Sequence, residues 1–205
     1  TASNPTHVYT SAGTYTVVLT ASGPGGTSQA TATIDVYIPA LASFSASPTS
    51  GIAPLNVTFT NTSTGNFSSS FWDFGDGNTS SEINPVHNYS TSGVFTVSLT
   101  VTGLGGTDTE VKTGHITVFS PTQAQFSGAP TSGIAPLSVS FTNQSSGDFT
   151  SQNWTFGDGG ISGVNNPIHE YVTSGNYTVS LTIDGPGGID QEIKTNYITI
   201  YEPVY

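Results

Sequence analysis

Short stretches of this chain alternate apolar and polar side chains, a period of two that is typical of β-strands burying one face. In residues 95–102 the side chains of phenylalanine, valine and leucine alternate with those of threonine and serine. Residues 13–20 and 177–184 carry a similar pattern, and each stretch is followed by a glycine-rich segment that predicts a hairpin turn. No stretch has a helical period, so the pattern predicts an all-β protein.

These stretches belong to a sequence repeat. Residues 48–55 match residues 130–137 letter for letter, and Trp72-Asp-Phe-Gly-Asp-Gly returns as Trp154-Thr-Phe-Gly-Asp-Gly. A third motif, Asn-Pro-x-His-x-Tyr, begins at Asn4, Asn84 and Asn166. Because three motifs recur in the same order, the chain is predicted to be a tandem array of repeats. Its first residues fall in the middle of a repeat unit.

The repeat predicts the domain organisation. Residues 1–37 are the C-terminal half of a repeat, residues 38–119 and 120–201 are complete domains, and residues 202–205 begin a further linker. Each complete domain is predicted to be an antiparallel sandwich of some seven short strands, with an edge strand from Leu41 to Ser47 in the first. We call residues 38–119 the first complete repeat and residues 120–201 the second complete repeat.

Each unit ends with an aromatic residue, one further residue and a proline, at Tyr37, Phe119 and Tyr201. The proline restricts the residue before it to extended conformations. We therefore expect stiff joints and an elongated rod.

The half repeat at the N-terminus poses a separate question. The apolar side chains of Tyr15, Val17 and Leu19 lack the sheet on which they should pack, and a half sandwich should not be stable alone. Two explanations stay open: the chain is a piece of a longer polypeptide, or a neighbouring subunit completes the half repeat and builds a homopolymer.

Composition excludes several classes of function. The net charge is −11, Lys112 and Lys194 are the only lysines, and there is no arginine. Binding to nucleic acid needs clustered cations, so nucleic acid is excluded as a partner, and an anionic membrane surface is equally unsuited. The chain has no cysteine for thiol chemistry. It has no apolar run of transmembrane length, so no membrane insertion is expected in this stretch.

The three motifs together resemble the polycystic kidney disease (PKD) domain, and the resemblance covers essentially the whole chain. It implies an immunoglobulin-like sandwich in an extracellular or cell-surface protein. PKD domains are common in archaeal surface-layer and cell-envelope proteins, and as accessory modules of secreted hydrolases. Thr155 stands where the first complete repeat has Asp73, so a role that rests on this aspartate is in doubt in the second.

The aspartates beside glycine are the candidate metal ligands. Asp73 and Asp76, with Asp158 in the second complete repeat, could hold a calcium ion. A calcium loop of the EF-hand type needs more acidic ligands at regular spacing, and aspartate beside glycine is ordinary in tight turns. We favour the turn role, and no other cofactor is expected.

The histidines and tryptophans are interpreted as structural. His7, His87 and His169 occur once per unit next to a tyrosine, which favours packing over zinc binding, while His115 is uninformative. The core of each sandwich is predicted to be built on tryptophan and phenylalanine, namely Trp72, Phe74, Trp154 and Phe156.

Catalysis has no support in the sequence, since neither a nucleophile elbow nor a phosphate loop is present, and the chain is predicted not to be an enzyme. N-glycosylation is a hypothesis that rests on sequons, although a chain this rich in serine and threonine contains several by chance. The candidate acceptors are Asn56, Asn61, Asn66, Asn78, Asn88, Asn143 and Asn176. Asn153 also begins a sequon, but its neighbour Trp154 makes it the weakest acceptor.

These observations favour a structural or adhesive glycoprotein of a cell envelope or extracellular fibre, in which the repeats stack end to end into a filament. Its partners would be other copies of itself, other envelope proteins or glycans. The alternative is a carbohydrate- or protein-binding accessory region of a larger secreted hydrolase. A eukaryotic-type adhesion ectodomain is less consistent with two cations and no disulfides.

Overall fold

The structure is a computed structural model, which describes residues 3–204. It begins with a two-stranded antiparallel hairpin of β1 (Gly13–Gly23) and β2 (Gly26–Val36). No third strand pairs with this hairpin among the described residues. Val17 and Leu19, on the predicted inner face, are 40% and 68% exposed.

The first complete repeat contains two sheets. One has three strands in the order β3-β5-β8, and the other has five strands in the order β4-β10-β9-β6-β7. The strands are β3 (Phe44–Ser47), β4 (Ser50–Ile52), β5 (Leu55–Asn61), β6 (Ser69–Asp73), β7 (Thr79–Ser80), β8 (Val86–Tyr89), β9 (Gly93–Gly103) and β10 (Gly106–Phe119).

The second complete repeat has the same arrangement. Its three-stranded sheet has the order β11-β13-β16, and its five-stranded sheet has the order β12-β18-β17-β14-β15. The strands are β11 (Phe126–Ala129), β12 (Ser132–Ile134), β13 (Leu137–Asn143), β14 (Ser151–Thr155), β15 (Ile161–Ser162), β16 (Ile168–Tyr171), β17 (Gly175–Gly185) and β18 (Gly188–Tyr201).

The first strand of each complete repeat is split in two, which the sequence pattern did not predict. In the second complete repeat, β11 pairs with β13 antiparallel, whereas β12 pairs with β18 in parallel. Pro130 lies between the two pieces and cannot donate a ladder hydrogen bond, so the strand leaves one sheet there and joins the other. The repeat therefore has eight strands, and one of its pairings is parallel.

Each sandwich is packed around its tryptophan. The side chains of Trp72 and Trp154 are fully buried. The ring centroids of Phe44 and Phe59 lie 5.2 and 5.4 Å from that of Trp72. The indole N–H of Trp72 donates to the carbonyl oxygen of Glu82 at 2.9 Å, so burial leaves no unpaired donor on the ring.

Backbone contacts divide the described chain into two compact units. One gathers the residues up to 47 with residues 58–87 and 95–115, and the other gathers residues 48–57, 88–94 and those from 116 onward. This division does not follow the sequence repeat. The domain bounds given above therefore stay a prediction.

Candidate functional site

A tight turn after the tryptophan strand holds the polar cluster that recurs in both complete repeats. In the second, Asp158 lies between Gly157 and Gly159, whose φ angles of +89° and +95° suit glycine. One carboxylate oxygen of Asp158 accepts a hydrogen bond from the backbone N–H of Gly160 at 2.9 Å. The other lies 2.7 Å from Nε2 of His169, on the three-stranded sheet. One aspartate thus closes its turn and ties it to the facing sheet.

The first complete repeat builds the same cluster. Oδ1 of Asp76 accepts from the backbone N–H of Asn78 at 3.0 Å, and Oδ2 lies 2.7 Å from Nε2 of His87. The side-chain amide of Asn78 donates to the same Oδ2 at 3.0 Å. The side chains of Asp76 and His87 are each 12% exposed, so the pair is largely shielded from water.

Each histidine of these pairs lies flat on a core phenylalanine. The ring centroids of Phe74 and His87 are 4.1 Å apart, with 4° between the ring planes. Phe156 and His169 repeat this geometry at 4.1 Å and 9°. In the N-terminal segment, the ring of His7 meets Tyr9 edge-on at 4.6 Å. The once-per-unit histidines are therefore packed against aromatic rings.

Burial and hydrogen bonds change the pKa values of the two aspartates and of a neighbouring tyrosine. Burial alone would raise the pKa of Asp76, but the hydrogen bonds from His87 and Asn78 outweigh it and lower that pKa. Burial opposes the hydrogen bonds from His169 and Gly160 in the same way at Asp158, whose pKa is also lowered. Burial, assisted by Asp158, raises the pKa of Tyr171 above its usual value. Both aspartates therefore hold their negative charge more firmly than a free carboxyl group.

Asp73 lies in the same turn but has a different role. Its Oδ1 accepts from the backbone N–H of Gly75 at 2.9 Å, the hydrogen bond of an Asx turn. At the equivalent position, Oγ1 of Thr155 lies 2.8 Å from the hydroxyl of Ser180. Among residues 3–204, no group of three acidic, histidine or cysteine side chains is placed to hold a metal ion.

This cluster stabilises the fold and has no free group for chemistry or ligand binding among its hydrogen-bonded atoms. The carboxylate and imidazole groups are bonded to each other, and the ring face is covered by phenylalanine. A charge-assisted hydrogen bond in a shielded place is among the stronger polar contacts in proteins. It holds the glycine turn against the facing sheet. The pairing could not be predicted from the sequence, because the two partners are 11 residues apart.

A second polar network was also missed by the sequence reasoning. Carboxylate oxygens of Asp190 and Glu192 accept from the backbone N–H groups of Ala124 and Phe126, each at 2.7 Å. Nζ of Lys194 donates to the carbonyl oxygen of Phe126. These side chains of β18 hydrogen-bond to the backbone of Phe126, the first residue of β11, and of Ala124 just before it, and so join the two sheets at one edge of the sandwich.

The first complete repeat has the same ladder. Asp108 and Glu110 accept from the backbone N–H groups of Ala42 and Phe44, each at 2.8 Å, and Nζ of Lys112 lies 4.4 Å from the centroid of the Phe44 ring. The signal in the sequence is the alternation Asp-x-Glu-x-Lys, which places all three side chains on one face of a strand. The only two lysines of the chain are thus used within the fold.

The sequons occupy different settings. Asn56, Asn66, Asn78, Asn88 and Asn176 are exposed, and so is Asn153, because it points to the face opposite Trp154. Asn61 and Asn143 are partly buried.

The start of each complete repeat is fastened to its own sandwich. In the first, the backbone N–H of Ile38 donates to Oδ1 of Asn66 at 2.7 Å, and the N–H of Asn66 donates back to the carbonyl of Ile38 at 3.0 Å. In the second, Ser120 and Asp148 exchange the same two bonds at 2.6 and 3.1 Å. Ile38 and Ser120, which lie between the aromatic residue and the proline of each joint, are therefore held as part of the repeat that follows them.

Comparison with known families agrees with the geometry. Models of the PKD domain match residues 1–36, 39–118 and 121–200. The chain belongs to the PKD domain family. Its architecture is that of tandem immunoglobulin-like β-sandwiches.

Two individual proteins are similar to parts of the chain. Over 70 residues, or 32% of the chain, it is 40% identical to collagenase ColA of Bacillus cereus, but this covers only 7% of that protein. It is 39% identical to the PKD1 domain of the metalloprotease PrtV of Vibrio cholerae, with a TM-score of 0.34, covering 40% of this chain and 98% of that one.

One further structure supports the fold alone. The amphioxus IgVJ-C2 molecule has a TM-score of 0.50 at 15% identity, covering 73% of this chain and 99% of that one. PKD domains are non-catalytic modules, and those of the collagenase and the metalloprotease belong to bacterial proteases. Among the described residues there is no helix with the length and hydrophobicity to cross a bilayer.

Proposed function

We propose that this stretch is a non-catalytic, extracellular spacer of a larger secreted or cell-surface protein, whose repeats hold other parts of that protein at a set distance. The observation that carries the proposal is the fastening of Ser120. The last strand of the first complete repeat ends at Phe119, and Ser120 is already bonded to Asp148. No unattached residue separates the two, so the joint lacks the slack of a flexible linker.

Distance measurements between the repeats test the spacer role. The chain has no cysteine, so a variant with Thr60→Cys and Thr142→Cys carries spin labels at equivalent exposed positions only. We expect a single narrow distance distribution by pulsed electron paramagnetic resonance. In a matched control, a glycine–serine insertion between Phe119 and Ser120 should broaden it. A distribution as broad in the parent as in the insertion variant would overturn the proposal.

The spacer could belong to either of two kinds of protein. As a component of a cell envelope or fibre it would contact copies of itself, other envelope proteins or glycans, and it would form filaments or a lattice under electron microscopy. As an accessory region of a secreted hydrolase it would remain monomeric and bind the substrate of the catalytic domain. The likeness to a collagenase and a metalloprotease favours the second setting.

Substrate binding is therefore a second candidate function. On the outer face of β6, Phe71 is 50% exposed, whereas Asn153 takes its place in the second complete repeat. Exposed aromatic side chains contribute strongly to contacts with proteins and sugars. Sedimentation with insoluble collagen should deplete the chain from solution, and Phe71→Asn, which copies the second repeat, should reduce that depletion. Equal depletion by collagen and by an inert resin would exclude this role.

A further inference from the structure

The sequons differ in how firmly their backbone is held. Six of them begin within strands, where the backbone is paired in a sheet: Asn56, Asn61, Asn88, Asn143, Asn153 and Asn176. A glycosyltransferase must bind the sequon backbone in its own groove, so such a segment would first have to leave its sheet and lose its hydrogen bonds. The side chains of Asn56 and Asn88 are also bonded to each other at 2.8 Å.

Other contacts also hold two of these strand residues, Asn61 and Asn143, and one sequon outside the strands, Asn66. Asn61 and Asn143 are partly buried, and Nδ2 of Asn143 donates to Oδ1 of Asn165 at 2.9 Å. The backbone of Asn66 is fixed on both sides, since its N–H donates to Ile38 and its carbonyl accepts from Gly105 at 2.8 Å. Modification of these residues in the folded chain would break contacts between separate parts of the sandwich.

Among residues 3–204, the hydrogen bonds of Asn78 are to its own turn. It lies outside the strands, it is exposed, and it follows Gly77, where an added Cβ atom would meet no atom within 4 Å apart from the adjacent residues. Its backbone N–H and its side-chain amide donate to Asp76, and its carbonyl accepts from the backbone N–H of Phe74 at 3.2 Å. The other two residues of its sequon, Thr79 and Ser80, form β7, which pairs with β6 at the edge of the sheet. A two-residue edge strand has fewer sheet hydrogen bonds to lose than the longer strands that hold the other sequons.

We propose that Asn78 is the acceptor of an N-linked glycan in the folded chain. The sequon is Asn78-Thr79-Ser80, and the donor is an oligosaccharide carried on a polyprenyl pyrophosphate. Nδ2 attacks the anomeric carbon, the new N–C bond forms as the C–O bond to pyrophosphate breaks, the pyrophosphate leaves with the electron pair, and the amide releases one proton. This inference adds to the extracellular role and does not depend on stiff joints between the repeats.

The second complete repeat provides a matched position without an acceptor. Gly160 stands where Asn78 stands in the first, and Ile161 and Ser162 follow it. The single change Gly160→Asn therefore creates a sequon in the equivalent turn. A side chain there would approach the ring of His169, since a Cβ atom would lie 2.6 Å from Cε1. Folding of this variant is checked by the fluorescence of Trp154.

The experiment treats the folded chain with a purified oligosaccharyltransferase and a lipid-linked oligosaccharide, and maps the products by glycopeptide mass spectrometry. We expect modification at Asn78 in the native chain and at several sequons in the urea-unfolded chain. Ser80→Ala should abolish modification at Asn78, whereas Ser80→Thr should retain it. Gly160→Asn should gain a second site.

Two outcomes would overturn the proposal. One is a native chain modified at its strand sequons as readily as at Asn78. The other is a native chain left unmodified at Asn78 while a short control peptide with the same sequon is modified in the same reaction. Neither outcome bears on the distance between the repeats, so failure here and failure of the spacer role are distinguishable.

Discussion

The two complete repeats share one framework and differ at a few contacts, and the differences separate what the fold requires from what it tolerates. Both keep the buried tryptophan, the aspartate–histidine pair and the Asp-x-Glu-x-Lys ladder. At the turn, Asp73 is replaced by Thr155 and Asn78 by Gly160, yet the turn and the pair persist. The residues that both repeats share contact both sheets of the sandwich. Asp73 and Asn78 make contacts within their own turn, and the second repeat forms the same turn without them.

Two further exchanges change a polar contact or a titratable group. Ile83 in the first complete repeat stands where the second has Asn165, the acceptor for the amide of Asn143. As a result, the buried Nδ2 of Asn61 has no hydrogen-bond partner among the described residues. His115 stands where the second repeat has Tyr197. These positions predict that the two repeats respond differently to substitution and to pH.

The largest expected effect comes from the tryptophans. Trp154→Ala should lower the free energy of unfolding of the second complete repeat by about 3–5 kcal/mol, because it leaves a large cavity in a packed core. The measurement is urea unfolding followed by far-UV circular dichroism, which records both complete repeats, and by the fluorescence of Trp72, which reports only the first complete repeat. We expect its midpoint to stay unchanged, and the converse result for Trp72→Ala. A shift of the remaining tryptophan's transition would show that the repeats unfold together.

The aspartate–histidine pair should give the next largest effect. Asp158→Asn should destabilise the second complete repeat by about 1.5–3 kcal/mol, the usual contribution of a hydrogen bond to a charged group. Urea unfolding at neutral pH, followed by Trp154 fluorescence, measures it. Asp184→Asn, on the outer face of the same repeat, is the control for the loss of one negative charge.

The pH dependence of the same pair has a definite sign. Because the folded pKa of Asp158 and of Asp76 lies below the unfolded value of 3.8, the stabilisation is present above pH 3.8 and is lost as pH falls through the folded pKa. Acid unfolding should become less steep in Asp158→Asn. An acid transition of unchanged steepness would mean that other carboxyl groups control it.

A smaller effect is expected at the exchanged polar contact. Asn165→Ile should destabilise the second complete repeat by about 1–2 kcal/mol, since it orphans the amide of Asn143, and Ile83→Asn should stabilise the first by about 0.5–1.5 kcal/mol by pairing with Asn61. Differential scanning calorimetry of both variants checks the opposite signs. Destabilisation by both would contradict the assigned partners.

The smallest effect concerns His115. Burial, with the nearby charge of Lys112, lowers the pKa of His115 below its usual value. Its stabilisation is therefore full above about pH 6.5 and declines as pH falls from there through the folded pKa. The first complete repeat, followed by Trp72 fluorescence, should lose stability in this range while the second, with Tyr197, should not.

Replacing His115 by tyrosine, the residue of the second complete repeat, requires a second change nearby. The backbone N–H of Gly128 donates to the Tyr197 hydroxyl at 2.8 Å, and a Cβ atom on Gly128 would come within 2.9 Å of the Phe141 ring. The first complete repeat has Ala46 at this position. We expect His115→Tyr by itself to remove the pH response, but to keep full stability only when Ala46→Gly is made as well, because a Cβ atom on the equivalent Gly128 would lie 3.3 Å from Cε1 of Tyr197. A single variant as stable as the double variant would contradict this.

Much of the fold could be predicted from the sequence because its strands are short and alternate cleanly. The side chains of Phe95, Val97 and Leu99 point one way by the period of two, and the tryptophan motif marks the facing sheet. The split first strand was not predicted, because Ser50–Ile52 is too short and too glycine-rich to show a period. The polar networks were not predicted either, because their partners are far apart in sequence.

The sequence alone determined the number of repeats, the β-class and the tryptophan cores, since these depend on periodicity and on the burial of large apolar side chains. Only the tertiary structure showed that Asp76 closes its turn and bonds His87, and that Asp108 and Glu110 bond the backbone near the start of their repeat. The physical reason is that a strand pattern records which face of a residue is buried. It does not record which residue of another strand will lie opposite that face.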